Sequence, residues 1–133
     1  MPGSPPLRRI LLVEDDPDIR AIAQLAMESV GRLEVRGCAS GCEALDAVDG
    51  FKPDLILLDV MMPGMDGPST LEALRRRAGG DAVPVVFMTA RCSPAEAVHY
   101  RNLGAAGVIA KPFDPMALCD EINEIWAQLG RKA

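Results

Sequence analysis

Aromatic side chains are scarce in this chain of 133 residues: one tryptophan, one tyrosine and three phenylalanines, 4% of the total. A core of stacked rings is thereby excluded, and the 49% hydrophobic content must build an interior mainly from Leu, Ile, Val, Met and Ala. Histidine occurs once, at His99, and Cys38, Cys42, Cys92 and Cys119 include no CxxC pair, so the ligand spacing of a zinc site is missing. The cysteines read as free thiols, buried or half-buried, and a Cys38–Cys42 disulfide is disfavoured in a reducing compartment. Acidic residues outnumber basic ones, 19 to 14, and a net charge of −5 argues against direct nucleic-acid binding, which needs a basic face. No uninterrupted apolar run approaches membrane-spanning length, and Met1 to Pro6 is small and Pro-rich, unlike a targeting segment. The expectation is a cytoplasmic protein with no membrane partner.

What is present fits one domain with a single core, the length being too short for two. Residues 1–6 read as a disordered tail, 7–130 as the folded unit and 131–133 as a C-terminal tail. Ile10 to Val13 is the first strand. Asp16 then caps a helix begun by Pro17, with Ile19, Ile22, Ala23, Ala26 and Val30 at helical spacing until Gly31. Leu33 to Ala39 is a second strand, and Ser40 to Glu43 forms a capping box for a helix that Gly50 ends. Leu55 to Leu58 is a short continuous apolar run closing on Asp59, the pattern of a strand buried on both faces of a parallel sheet.

Pro68 opens a helix carrying Leu71, Leu74 and Ala78 inward until Gly79-Gly80, with Arg75, Arg76 and Arg77 as a solvated last turn. Val83 to Met88 is the fourth strand, ending at Thr89, and Ser93 to Glu96 is a second capping box whose helix runs to Leu103. Val108 to Ala110 is a fifth strand. From Asp114-Pro115, Leu118, Cys119, Ile122, Ile125, Trp126 and Leu129 form an apolar stripe that Gly130 ends. Five strands alternating with five helices predict an α/β fold, a parallel sheet covered by helices on both faces.

The chemistry gathers just past the strand ends: Glu14 and Asp15 after the first, Asp59 at the third, Thr89 at the fourth, Lys111 at the fifth. In open α/β sheets that edge is where ligands bind. Clustered carboxylates repel unless a cation joins them, and Mg²⁺ suits a few carboxylate oxygens shared with a phosphate. Thr89 supplies a hydroxyl and Lys111 a point charge for phosphoryl oxygens. Asp59, at the end of a central apolar strand, is the natural nucleophile, since an aspartate can accept a phosphoryl group as an acyl phosphate. Asp16 and Asp18 read as capping residues, Asp66 as shaping its turn, and His99 as an exposed helical residue.

Together, VEDD, LLDVMMPGMDG, MTA and KPF, in that order and on those elements, resemble the response-regulator receiver domain of two-component signalling, over about Leu7 to Leu129. The resemblance implies a flavodoxin-like (βα)5 three-layer sandwich with sheet order 2-1-3-4-5. It implies Asp59 as phosphoacceptor and Asp15 as a Mg²⁺ ligand, with Glu14 acting on the ion through water, the Met61 main-chain carbonyl completing the set, and Mn²⁺ as a substitute ion. It further implies that Thr89 moves toward the phosphoryl group while Lys111 pairs with it, and that the peptide before Pro112 is cis. The donor would be a sensor histidine kinase or a histidine phosphotransfer protein, the output an unidentified protein or domain, and the chain a signalling domain and not an enzyme.

Two departures from the family pattern matter, one at Val108 and one at the pair Met61 and Arg91. Where an aromatic residue often stands three before the lysine, this chain has Val108, which has no ring to swing, so the output is expected through the Thr89 loop and the fourth helix or through another face. Met61 and Arg91, two past Asp59 and two past Thr89, supply no acid or amide to orient water, so slow self-dephosphorylation is expected. Three rivals share parts of the pattern. A flavodoxin-type flavin binder would place a phosphate against repelling acids in its first loop. A haloacid-dehalogenase-type phosphatase expects a second aspartate where Met61 stands. A phosphorylation-independent docking module would not need the full set of acids, Thr and Lys.

Overall fold

A computed structural model describes residues 6–77 and 83–132 of the chain. Its elements alternate throughout: β1 (Arg9–Val13), α1 (Pro17–Ser29), β2 (Glu34–Cys38), α2 (Gly41–Phe51), β3 (Leu55–Asp59), α3 (Gly67–Arg76), β4 (Val85–Thr89), α4 (Pro94–Asn102), β5 (Gly107–Ala110) and α5 (Leu118–Lys132). The strands form one parallel sheet in the order β2-β1-β3-β4-β5. Both the flavodoxin-like architecture and the strand order expected from the sequence are thus observed.

Strand alternation divides the interior into two layers. Leu11, Val13, Ile56, Leu58, Val85 and Phe87 pack with buried residues of α2, α3 and α4. Ile10, Leu12, Leu55, Leu57, Val86, Met88 and Ile109 pack with those of α1 and α5, joined by the half-buried Trp126. All five residues of β3 are buried, and so are all five of β4, because both strands lie between neighbours and under helices on each face. At about 1.5–3 kcal/mol for each fully buried Leu or Ile, this central ribbon is a large apolar contribution to stability.

Several boundaries and faces differ from the sequence expectation. In α1 the buried residues are Ala23, Ala26 and Met27, while Ile22 and Val30 are 48% and 49% exposed. The apolar positions of that helix exceed what one packed stripe accommodates, and Met27 takes the inward place. Gly50 does not end α2: the helix continues through Phe51, and Lys52 makes the left-handed turn at φ 55. Helix α3 starts at Gly67, capped by Asp66, and closes at Arg76, so the expected inward position Ala78 lies outside the described residues.

At the last helix, Asp114 first forms a separate turn, its side chain accepting the Met116 N–H and its carbonyl the Leu118 N–H, before regular α5 begins. Gly130 does not stop that helix, which runs on to Lys132. The capping box at Ser93 and Glu96 is complete in both directions, and the Ser40 side chain accepts the Glu43 N–H. All four cysteines are free thiols, and the Lys111–Pro112 peptide is cis.

Candidate functional site

Because the strands are parallel, their carboxyl ends share one edge of the sheet, and that edge collects the polar residues of the interior. Glu14, directly after β1, is 1% exposed, Asp59 at the end of β3 2%, and Thr89 at the end of β4 1%. One carboxylate oxygen from each of Glu14, Asp15 and Asp59 lies within 4.8 Å of the other two. From the far side Lys111 Nζ donates to Glu14 Oε1 at 2.9 Å and to Asp59 Oδ1 at 3.2 Å. Four separate stretches of sequence thus share this edge.

The electrostatics follow from this geometry. Burial pushes the Asp59 carboxyl up, the Glu14 charge pushes it further, and Lys111 pulls it back, leaving it at about 7 against an ordinary 3.8. For Lys111, burial works against the charge, but Glu14 and Asp59 outweigh it and hold the ammonium above its ordinary value. Three carboxylates therefore face one ammonium. The donor set is all oxygen, two of its three acids are buried, and the positive charge present does not balance it, which is the chemistry that fits a hard divalent cation such as Mg²⁺ or Mn²⁺.

Around the cluster the backbone is tied down. Glu14 N–H donates to the Cys38 carbonyl at 3.0 Å, and Asp16 N–H to Glu14 Oε2 at 3.1 Å. The Asp16 side chain faces the helix, accepting the Asp18 and Ile19 N–H groups as the cap of α1. Thr89 Oγ1 accepts the Arg91 N–H at 3.0 Å, while Lys111 N–H donates to the Thr89 carbonyl at 2.9 Å, joining the ends of β4 and β5. Met61 is 69% exposed beside Asp59. The Arg91 side chain is also exposed.

Val108 is half-buried, sits opposite Phe87 in the β4–β5 register, and lines a shallow groove with Arg101, Glu121 and Ile125. His99 is exposed. The three arginines closing α3 are each engaged, Arg75 with the Val83 carbonyl at 3.0 Å, Arg76 with Glu72 and Arg77 with Asp49. Arg75 is half-buried, so that turn is less solvated than its sequence suggests.

Sequence reasoning passed over Arg20. Its Nη1 donates to the Glu14 main-chain carbonyl at 2.7 Å. The available signal was modest: Arg20 is the single basic residue of α1, one turn after the capping Asp16.

With this geometry in view, residues 10–123 match the family described as "Response regulator receiver domain". The chain is 36% identical over 116 residues to Response regulator Rre1 of Synechocystis, covering 87% of this chain and 48% of that protein. It is equally similar, at 36% over 116 residues, to the DNA-binding response regulator MtrA of Mycolicibacterium smegmatis, covering 87% and 49%. The chain spans about half the length of these curated relatives. Among solved structures, the chemotaxis response regulator CheY4 of Vibrio cholerae superposes with a TM-score of 0.82 at 29% identity, over 90% of this chain and 99% of that one.

Proposed function

The chain belongs to the response-regulator receiver family of signalling domains, and from that premise we propose that Asp59 accepts a phosphoryl group from the phosphohistidine of a sensor kinase or phosphotransfer protein. The observation that carries this reading is the meeting of Glu14, Asp15 and Asp59 within 4.8 Å, with Lys111 bonded to two of them, at the ends of the strands. Glu14, Asp15, Asp59 and the Met61 main-chain carbonyl would hold Mg²⁺. When bound, the ion supplies charge that offsets both the carboxylates and the phosphoryl oxygens.

The protein's own groups do the rest. Asp59 attacks phosphorus with one carboxylate oxygen as the phosphorus–nitrogen bond to the donor imidazole breaks, its electron pair leaving with the nitrogen. That oxygen must be ionised, and the Lys111 ammonium at 3.2 Å favours the ionised form against burial and Glu14. After transfer, Lys111 pairs with a phosphoryl oxygen and the Thr89 hydroxyl turns from the Arg91 N–H to another. The loop after β4 and helix α4 then shift, and a partner or output domain reads that change, without an aromatic relay at Val108.

The receiver unit, expected over residues 7–130, reaches Lys132 in this reading, where α5 ends. Among the described residues no helix is long and apolar enough to cross a membrane, and a cytoplasmic site of action is proposed. Met61 and Arg91 leave the attacking water without an acid or amide to orient it, so the phosphorylated form is long-lived. Rapid loss of label from the purified phosphoprotein would contradict that point.

Incubation with Mg²⁺ and acetyl phosphate, followed by intact-protein mass measurement, tests the central assignment. One phosphoryl adduct is expected on the wild type and none on Asp59→Asn. An adduct undiminished in the variant would overturn the role of Asp59.

A further inference from the structure

The Arg20 guanidinium stands behind the acidic cluster and takes no part in the transfer described above. It binds the carbonyl oxygen of Glu14 at 2.7 Å, which is the carbonyl of the peptide joining Glu14 to Asp15. Glu14 is held on its other sides by the Cys38 carbonyl at 3.0 Å, by Lys111 at 2.9 Å and by the Asp16 N–H at 3.1 Å. Arg20 thus anchors the peptide from which Asp15 departs.

Its path to that carbonyl runs across β2 at Gly37. A Cβ at this glycine would lie 2.9 Å from Gln24 Oε1 and 3.3 Å from Arg20 Cδ, so the bare backbone there leaves the lane in which the arginine stem rests. A side chain at position 37 would press on Gln24 and on the Arg20 stem while leaving the Arg20 charge in the protein.

We propose that Arg20 is a positioning residue for the cation site, locking the Glu14–Asp15 peptide so that the Asp15 carboxylate faces Asp59. The inference rests on the reading of Glu14, Asp15 and Asp59 as a Mg²⁺ site. It makes a prediction opposite in sign to the simplest electrostatic one. A guanidinium near three acids repels an incoming cation, so its removal should tighten Mg²⁺ binding if charge were its whole effect. If Arg20 orients a ligand, its removal weakens binding, as loss of outer partners does in other metal sites.

The test is calorimetric titration of the whole chain with Mg²⁺ alone, near neutral pH, for wild type, Arg20→Ala, Arg20→Lys, Gly37→Val and Asp15→Asn. Urea unfolding midpoints in chelator are measured alongside, so that affinity is compared among folded proteins. Arg20→Ala is expected to weaken Mg²⁺ on the order of tenfold. Arg20→Lys, which keeps the charge and one donor, recovers part of the loss. Gly37→Val, which keeps Arg20 itself, shows a loss of the same sign. Unchanged or tighter binding in Arg20→Ala, with wild-type binding intact and Asp15→Asn defective, would overturn the role of Arg20 alone. Absence of Mg²⁺ binding by the wild type would instead overturn the cation site, and this inference with it.

Discussion

Replacing Asp59 by Asn should stabilise the metal-free protein at neutral and higher pH, even though it removes the proposed acceptor. In the folded chain the Asp59 carboxyl titrates at about 7, against 3.8 ordinarily. That difference of about three units, at 1.36 kcal/mol each, sets a ceiling of about 4 kcal/mol on the cost of ionising it in place. The asparagine carbonyl can still accept from Lys111 and its amide can donate to Glu14, so a gain of about 2–4 kcal/mol is expected near pH 8.

The sign follows from linkage. Below the ordinary carboxyl range Asp59 is protonated in both folded and unfolded states, and the two proteins are equally stable. As pH rises toward 7 the unfolded chain ionises freely and the folded one does not, so the wild type loses stability relative to the variant. Above 7 the difference is constant. Urea unfolding in chelator at fixed ionic strength, followed through Trp126 fluorescence, reads this directly, because a single domain of this size unfolds in one step. Adding Mg²⁺ should then stabilise the wild type, by about 2.7 kcal/mol at a hundredfold excess over Kd, and leave Asp59→Asn nearly unchanged. A stability difference independent of pH, or a variant less stable than wild type near pH 8, would refute the reasoning.

Lys111→Met removes the ammonium that bridges two buried carboxylates. It should destabilise by about 1–2 kcal/mol near pH 8, less than for a fully buried pair because Lys111 is 18% exposed and a carboxyl can take up a proton in its place. The deficit should shrink toward pH 5 in the same unfolding assay. Tyr100→Ala removes the one buried side chain of α4, and about 3 kcal/mol of stability should go with it. Amide exchange should then accelerate across 94–102 before it does in the other helices.

The fold was legible because its signals were redundant. Asp54 to Gly67 alone announces a doubly buried strand, an acid at its end and a turn, and LILLD is buried at all five positions. The gathering of Glu14, Asp15, Asp59 and Lys111 at one edge follows from the parallel connections that the alternation of strands and helices implies, whereas the order of the strands was implied only by the resemblance to the receiver family. What escaped was set by tertiary choice. The apolar residues of α1 admit more than one inward face, and packing under β2 and α5 selected Met27 over Ile22 and Val30. Gly50 and Gly130 look like helix stops, yet helical bonding continues past both. Arg20 was invisible because a long basic side chain announces its partner only once Gly37, in the next element, is seen to leave it room.

Helix α4 gives the domain an uneven stiffness. Helices α1, α2, α3 and α5 each sink three or more residues into the layers they cover, whereas α4 sinks Tyr100 alone. That ring meets Phe87 edge-on with centroids 5.4 Å apart, and Phe87 stands two residues before Thr89 on the same face of β4. Tilting α4 about a single pivot disturbs one aromatic contact, a cost within the 1–3 kcal/mol by which events at one site commonly bias another. Shifting any other helix would open a packed layer. Should phosphoryl transfer at Asp59 disturb the end of β4, as proposed, compliance and not proximity alone would make α4 its softest exit.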